Sequence, residues 1–272
     1  MATAQDWTFS GVSGGERHVR EWPNPKAAWI ALLCHGYGEH IGRYQHLADA
    51  LHAAGAAVFG PDHEGHGRSA GEPALIADFE AVVTDLHGVA LRAAEKHPRR
   101  PMVLIGHSMG GMIAARYAQH HGRRLSALVL SGPMFGAKDG LKFLLGMDPI
   151  PEIPLDPGAL SRDPAVGEAY AADPMVWHGG FKRPMLQAML ATMAAVEEGP
   201  NLGDLPTLWI HGQADPLVPL DATRPMMDHL RGARFQEKIY PGARHEVFNE
   251  INRDEVVGDV IGFIGGILAQ PA

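Results

Sequence analysis

The feature that most constrains this chain is the stretch Gly106-His107-Ser108-Met109-Gly110, which lies between an apolar run, Met102–Ile105, and a helical pattern, Met109–His121. A short apolar run that ends in glycine is typical of a buried strand. A strand that turns directly into a helix leaves no room for a Cβ at the two glycines. It also holds the serine between them in a strained conformation with its hydroxyl exposed. The sequence therefore predicts a nucleophile elbow with Ser108 as the attacking group.

A glycine-rich turn without chemistry would also fit these five residues taken alone. The order of strand, elbow and helix favours the nucleophile, because the motif acts only in that setting. His107 lies inside the motif, and we expect it to have a structural role or to form part of the site wall, since a base must face the Ser108 hydroxyl from elsewhere in the fold.

Similar short apolar runs recur along the chain and alternate with helical patterns. Strands that alternate with helices form a mainly parallel sheet with helices on both faces, so the predicted fold class is α/β. A strand pair is predicted over Trp7–Trp22, with its turn at Ser13-Gly14-Gly15. The other predicted strands are Ala27–Cys34, Ala56–Phe59, Met102–Ile105, Ala127–Leu130, Thr207–Ile210 and Phe235–Tyr240. The predicted helices are Arg43–Ala54, Pro73–Lys96, Met109–His121, Leu220–Leu230 and Asn252–Leu268.

The segment 134–200 interrupts this alternation. It holds eight of the 21 prolines and six of the 12 methionines, and its helical piece Lys182–Val196 is rich in Met, Leu and Ala. Such a composition is typical of an apolar helical cap, or lid, over a cavity. We therefore predict a core whose first part is 1–133 and whose second part is 201–272, with the cap inserted between them.

Asp215 and His245 each follow directly on a predicted strand. Open α/β sheets place their ligand sites at the carboxyl ends of the strands, so both side chains are expected near Ser108. An imidazole takes and returns the serine proton, while a carboxylate orients the imidazole and stabilises its protonated form. The sequence thus predicts catalytic roles for Asp215 and His245. Asp204 precedes its strand and Asp221 begins a helix, where N-capping explains it.

The loop Cys34–His40 follows the first long buried strand and contains Gly36 and Gly38. A glycine-rich loop at that place can direct a backbone N–H at the oxyanion that forms during acyl transfer. The backbone N–H groups of Tyr37 and Met109 are the expected oxyanion donors.

Five stretches of the chain carry a family resemblance. They are HGYGEHIGRYQHLA from His35, GPDHEGHGRSAGE from Gly60, GHSMGG from Gly106, HGQADPLVP from His211 and YPGARHEVFNE from Tyr240. Together they resemble the monoacylglycerol lipase branch of the α/β-hydrolases, also described as a lysophospholipase-like or serine-aminopeptidase-like group. The similarity extends over nearly the whole chain. It implies the α/β-hydrolase fold, a triad of Ser108, Asp215 and His245, and a lid over an acyl-binding tunnel.

The resemblance also implies substrate-binding positions. Glu39 and Arg43 match polar residues on the glycerol side of the family's site, and their i,i+4 spacing fits an ion pair at a helix start equally well. Tyr170 matches a tyrosine in the family's lid. Phe248 stands where some members carry a polar residue, so we expect head-group recognition to differ in this chain.

Charge and cysteine content exclude several functions. The 31 acidic and 23 basic residues give a formal charge of -8, which argues against binding of nucleic acid. The single cysteine, Cys34, allows neither an internal disulfide nor a structural zinc site. Asp62, His63 and His66 have no further ligand at a suitable spacing, so neither a metal nor another cofactor is expected.

No stretch of the sequence is typical of a membrane span, because the longest apolar segment, Val256–Ala269, is interrupted by Asp259 and several glycines. The first residues lack the basic region of a secretory signal. We therefore expect a cytoplasmic location. An apolar lid also predicts transient contact with a membrane or a lipid droplet.

The predicted function is hydrolysis of a small lipid or ester by a serine hydrolase through an acyl-enzyme, with monoacylglycerol as the preferred substrate, cleaved to glycerol and fatty acid. A carboxylesterase, a lysophospholipase and a small-peptide hydrolase are the alternatives on the same fold. The alternative outside enzymes is a silent hydrolase-fold protein that binds a lipid or similar ligand.

Overall fold

One eight-stranded sheet forms the centre of the computed structural model, which describes residues 1–270, and its strand order is β1-β2-β4-β3-β5-β6-β7-β8. The strands from β3 to β8 run parallel, while β1 and β2 form an antiparallel hairpin beside β4. The strands are β1 Gln5–Ser10, β2 Glu16–Trp22, β3 Trp29–Cys34, β4 Ala56–Pro61, β5 Met102–His107, β6 Ala127–Ser131, β7 Thr207–Gly212 and β8 Phe235–Tyr240. Every strand predicted from the sequence is therefore confirmed, with ends that shift by a few residues.

Helices cover both faces of this sheet, as the alternating pattern predicts. One layer contains α2, α3, α6 and α7, and the opposite layer contains α1 and α8. The helices are α1 Gln45–Ala53, α2 Phe79–Lys96, α3 Met109–His121, α4 Lys138–Leu145, α5 Pro164–Ala172, α6 Arg183–Glu198, α7 Leu220–Leu230 and α8 Arg253–Leu268. None of the helices within residues 1–270 is both long and apolar enough to span a bilayer.

Two predicted helix starts are wrong. The helix predicted from Pro73 begins only at Phe79, where the Asp78 carboxylate caps it by accepting the Glu80 N–H at 2.9 Å. Ala74 has φ 51°, a left-handed conformation that no α-helix can contain. The helix predicted from Arg43 begins as a 3-10 turn, Ile41–Tyr44, before α1.

The segment predicted as the cap lies between β6 and β7 and contains α4, α5 and α6. Its last helix differs from the rest, because Met185, Met189 and Met193 are fully buried in the same layer as α2 and α3. The irregular stretch 146–158 is mostly exposed. The boundaries of the cap and of the two core parts stay a prediction, and Pro271 and Ala272 lie outside the described residues.

Gly110→Ala tests the tight packing of α3 against β3. A Cβ at Gly110 would overlap the carbonyl groups of Cys34 and His35, which are backbone atoms that cannot move aside. We expect Gly110→Ala to lower the free energy of unfolding by about 1–3 kcal/mol, as overpacking of a core does. Urea denaturation measures this change.

Gly88→Ala is the matched control, because Gly88 is an exposed position in α2 with no atom within 4 Å of its added Cβ. There the change should stabilise the protein by about 0.5–1 kcal/mol, since alanine has a higher helix propensity than glycine. Equal stability of the Gly110→Ala variant and the wild type would contradict the packing argument.

Candidate active site

Ser108 occupies the turn between β5 and α3 with φ 55° and ψ -118°, a strained conformation for a residue with a side chain. Its backbone is held on both sides, since its N–H donates to the Ser131 carbonyl at 2.9 Å and its carbonyl accepts the Met134 N–H at 3.1 Å. A Cβ at Gly106 would overlap Gly110 and Ala114. The elbow geometry predicted from the two glycines is thus present.

The structure brings Ser108, His245 and Asp215 together from three distant parts of the chain. His245 Nε2 lies 2.9 Å from Ser108 Oγ, and His245 Nδ1 lies 2.7 Å from Asp215 Oδ2. The other carboxylate oxygen, Oδ1, accepts the backbone N–H groups of Leu217 and Val218, each at 2.9 Å. Because an ionised carboxylate only accepts, the Nδ1 proton points to Asp215 and leaves Nε2 free to accept the serine proton.

The pKa values of Asp215 and His245 differ from those of isolated side chains. Burial works against ionisation of Asp215, but the adjacent His245, hydrogen bonds from His211 and His245, and the Val218 N–H hold its pKa well below its usual range. Burial also opposes protonation of His245, yet the Asp215 carboxylate outweighs burial, with smaller contributions from Glu246 and Glu39, so the net pKa of His245 is raised. Both effects favour an imidazolium that forms during reaction.

His211 supports Asp215 from behind, a role that the sequence reasoning missed. The Trp209 indole donates to His211 Nδ1 at 3.2 Å, so a neutral His211 carries its proton on Nε2. That Nε2 lies 2.8 Å from the Val218 carbonyl and 3.4 Å from Asp215 Oδ2. The available signal was its position, four residues before Asp215 and at the end of β7. With sixteen histidines in the chain, that signal was not distinctive.

The backbone N–H groups of Tyr37 and Met109 have no acceptor among the hydrogen bonds of the described residues. Orientation of the Tyr37 N–H follows from His35, another residue that the sequence reasoning left without a role. The His63 N–H donates to His35 Nε2 at 3.0 Å, so the proton on Nδ1 donates to the Gly36 carbonyl at 2.8 Å. The Tyr37 N–H belongs to the same peptide plane and points the opposite way. Burial lowers the pKa of His35 to about 3, which keeps this ring neutral.

Glu39 and Arg43 form the predicted i,i+4 ion pair, with 2.6 Å between Glu39 Oε2 and Arg43 Nη1. The pair is buried in the cavity wall, and a third residue that was not predicted, Glu246, binds the same guanidinium at 2.7 and 2.9 Å. Glu39 Oε1 also accepts the Gly36 N–H at 2.6 Å and the Tyr44 hydroxyl at 2.7 Å. Burial would raise the pKa of Glu39, but Arg43 and these donors keep it lowered.

Of the remaining predicted residues, the structure brings Tyr170 to the cavity and not Phe248. The Arg43 guanidinium lies 5.1 Å from the centre of the Tyr170 ring. Phe248 is buried in the layer that contains α1 and α8, and it does not line the cavity but a small adjoining pocket behind Arg43 and His107. His107 lines the wall as expected, with Nδ1 3.1 Å from Ser131 Oγ, and burial lowers its pKa to about 4.

A mainly apolar cavity of about 650 Å³ opens at Ser108. Of the six methionines in the cap segment only Met134 lines it, because α6 buries others in the core. Asp62, by contrast, braces a turn by accepting the Ile41 and Arg68 N–H groups, and the described residues hold no cluster suited to a metal ion. The apolar lining comprises Met134, Leu141, Phe143, Leu144, Ile153, Leu155, Leu160, Phe181, Leu217 and Val218.

Comparison with known proteins places this geometry in a family. The family described as serine aminopeptidase S33 matches residues 25–252, which include the elbow, the Asp215 and His245 loops and the cap. The chain belongs to the serine aminopeptidase S33 family. The α/β-hydrolase fold implied by the sequence motifs is likewise confirmed by the solved structures that superpose on this chain.

Among the relatives of this S33 protein is a monoacylglycerol lipase of Mycolicibacterium smegmatis, 38% identical over 97% of this chain and 98% of the relative. A monoglyceride lipase of Rattus norvegicus is 32% identical over 90% of this chain and 83% of the relative. The crystal structure of a soluble variant of monoglyceride lipase from Saccharomyces cerevisiae, in complex with a substrate analogue, superposes with a TM-score of 0.82 over 98% of this chain and 96% of that chain, at 23% identity.

The raised pKa of His245 predicts how the reactivity of Ser108 depends on pH. The serine proton is accepted only by neutral His245, so reactivity should fall as the pH drops through a pKa above the ordinary value of about 6.5. The rate of Ser108 labelling by a fluorophosphonate, measured from pH 5 to 9, reports this limb.

Asp215→Asn removes the charge that raises the pKa of His245. We expect the acid limb of labelling to move to lower pH, and the plateau rate to fall by a factor on the order of 10³–10⁴, because the amide presents a donor to Nδ1 and selects the wrong tautomer. An unchanged limb and rate would show that another carboxylate serves His245.

Proposed function

We propose that this chain hydrolyses carboxylic esters of lipids, with monoacylglycerol as its preferred substrate, and releases glycerol and a fatty acid. The observation that carries the proposal is that the side chains of Ser108, His245 and Asp215 are joined by hydrogen bonds at the opening of an apolar cavity. Such an arrangement joins an activated hydroxyl to a binding site for a long apolar group.

In the proposed reaction, Ser108 Oγ attacks the ester carbonyl as its proton moves to His245 Nε2. The carbonyl oxygen becomes an oxyanion, and the Tyr37 and Met109 N–H groups donate to it. His245 then returns the proton to the departing glycerol oxygen, which leaves an acyl group on Ser108. Water then attacks the acyl-enzyme as His245 takes its proton, and His245 gives that proton to Ser108 Oγ as the bond to the acyl group breaks and the fatty acid leaves. Asp215 stays ionised throughout and stabilises the imidazolium.

The two ends of the cavity match the two ends of a monoacylglycerol. The acyl chain would lie among the apolar residues contributed by α4 and the 146–158 stretch, and glycerol would lie near Arg43 and Tyr170. A volume of about 650 Å³ is within the usual range for a small-molecule site. The names of the relatives point to the same substrate.

A small-peptide hydrolase is the alternative that the family's description favours. An aminopeptidase needs a free carboxylate for the substrate amine, but Glu39 and Glu246 in the cavity wall both bind the Arg43 guanidinium. Asp139 lines the cavity with a fully exposed side chain that lies 3.9 Å from Lys142. Glu152 and Glu168, the other candidates, do not line the cavity. The wall therefore offers no buried, unbonded glutamate for an amine, which favours an ester substrate.

A substrate panel tests the proposal. Wild-type protein should turn over monoacylglycerols with a higher kcat/KM than p-nitrophenyl acetate or aminoacyl amides, because only the lipid fills the apolar cavity. Ser108→Ala should reduce turnover about 10⁴-fold or more and abolish fluorophosphonate labelling. Cleavage confined to the amides would refute the lipase assignment, and a wild type that neither reacts with the probe nor turns over any ester would favour a silent binding protein.

We further propose that the protein is cytoplasmic and contacts lipid surfaces through the cavity mouth. Phe143 is 67% exposed and Ile153 62% exposed, and both line the cavity, so an apolar surface would cover them while a lipid enters. The combined change Phe143→Ser and Ile153→Ser should reduce co-flotation with phosphatidylcholine vesicles that contain monoacylglycerol.

The matched control changes Val12 and Ile251 to Ser, which are 59% and 64% exposed and do not line the cavity. That variant should float like the wild type. Equal loss in both variants would indicate non-specific adhesion, and no loss in either would exclude the mouth as the contact surface.

A further inference from the structure

The loop that carries the oxyanion donor Tyr37 is clamped by the cap as well as by the core. We call residues 35–40 the oxyanion loop and residues 173–181 the cap turn. On the core side, His35 Nε2 accepts the His63 N–H, and the Glu39 carboxylate binds Arg43. None of these core bonds involves the Gly38 carbonyl or His40 Nε2.

The cap turn supplies that support with three contacts. The Trp177 N–H donates to the Gly38 carbonyl at 2.7 Å. His40 Nε2 lies 2.9 Å from Asp173 Oδ2. The Phe181 ring stacks on the Tyr37 ring, with centres 4.5 Å apart and planes 15° apart. The oxyanion loop is therefore bonded to the cap on both sides of Gly38, which has φ 72°.

The bond between His40 and Asp173 does not require a charged histidine. The Gly42 N–H donates to His40 Nδ1 at 3.1 Å, so neutral His40 carries its proton on Nε2 and donates it to the carboxylate. Since His40 is nearly buried, the contact gains strength from the low local dielectric. Asp173 thus fastens the end of the oxyanion loop to the cap turn.

Building on the proposed function, we infer that Asp173 and the cap turn are positioning elements of the oxyanion site, through which the cap holds the Tyr37 N–H in its reactive orientation. The cap then serves the chemical step as well as enclosing the acyl chain. Small displacements of an oxyanion donor are costly, because the bond forms only where the charge develops.

Asp173→Ala tests this inference, and Asp163→Ala is its matched control. Both aspartates accept the N–H of the second residue after them in the cap, Met175 and Ala165. Only Asp173 also binds the oxyanion loop. The substrate is p-nitrophenyl acetate, whose acetyl group is too short to need the acyl cavity, so a cap that served only as a wall would not affect its turnover.

We expect Asp173→Ala to lower kcat for p-nitrophenyl acetate about tenfold with little change in KM, because donor loss at an oxyanion site costs about 10²–10³ and this variant only loosens the donor. Binding of a trifluoromethyl ketone, to which Ser108 adds to leave an oxyanion, should weaken by the same factor. Asp163→Ala should match the wild type. Asp173→Asn keeps an oxygen for the His40 proton and should recover most of the rate.

Hydrogen exchange provides a readout that does not depend on esterase activity. Amides of the oxyanion loop should exchange faster in Asp173→Ala than in Asp163→Ala, at equal thermal stability of the two variants. Unchanged kcat and unchanged exchange in Asp173→Ala would overturn the inference, as would equal losses in the two variants. A wild type without turnover or probe labelling refutes the proposed function instead, and the exchange comparison still decides whether the clamp exists.

Discussion

The close approach of α3 to the end of β3 is the contact on which the site depends. Only a glycine at position 110 lets the first turn of α3 lie against the carbonyl groups of Cys34 and His35. That contact places the elbow and the loop after β3 side by side, which is the arrangement that the proposed oxyanion donors, the Tyr37 and Met109 N–H groups, require. A larger spacing would separate the two proposed donors, even with the hydrogen bonds of Ser108, His245 and Asp215 intact.

Around this backbone contact, each buried charge is bonded before any substrate arrives. Asp215 accepts from two backbone N–H groups and His245, and Arg43 is held between Glu39 and Glu246. Buried ions are stable only when they are paired and hydrogen-bonded. Because these groups are already oriented, little reorganisation is needed when the oxyanion forms, which is how a fixed polar environment accelerates acyl transfer.

The parts of the structure that depend on local pattern could be predicted from the sequence. The parallel strands were recognised as short runs between helical patterns, and β1 and β2 as a strand pair around a glycine turn. Asp215 and His245 could be placed because parallel strands end at one edge of the sheet. Contacts between distant segments could not be predicted. Nothing in the sequence pairs Glu246 with Arg43 or gives His35 its tautomer. The methionines of α6 are part of the hydrophobic core, although the composition of the segment suggested a cavity lining. Phe248 matches a substrate position in the family's pattern, but it packs into the layer that contains α1 and α8.

The inserted segment has two parts that differ in burial. Its final helix shares the core with α2 and α3, whereas the stretch 146–158 has few buried side chains and contributes Ile153 and Leu155 to the cavity mouth. Apart from Ile150, which packs against the core, the side chains of that stretch lie outside the hydrophobic core, so substitutions there should have little effect on folding stability. Under the proposed function, acyl-chain preference could therefore be altered through these few residues without unfolding the protein.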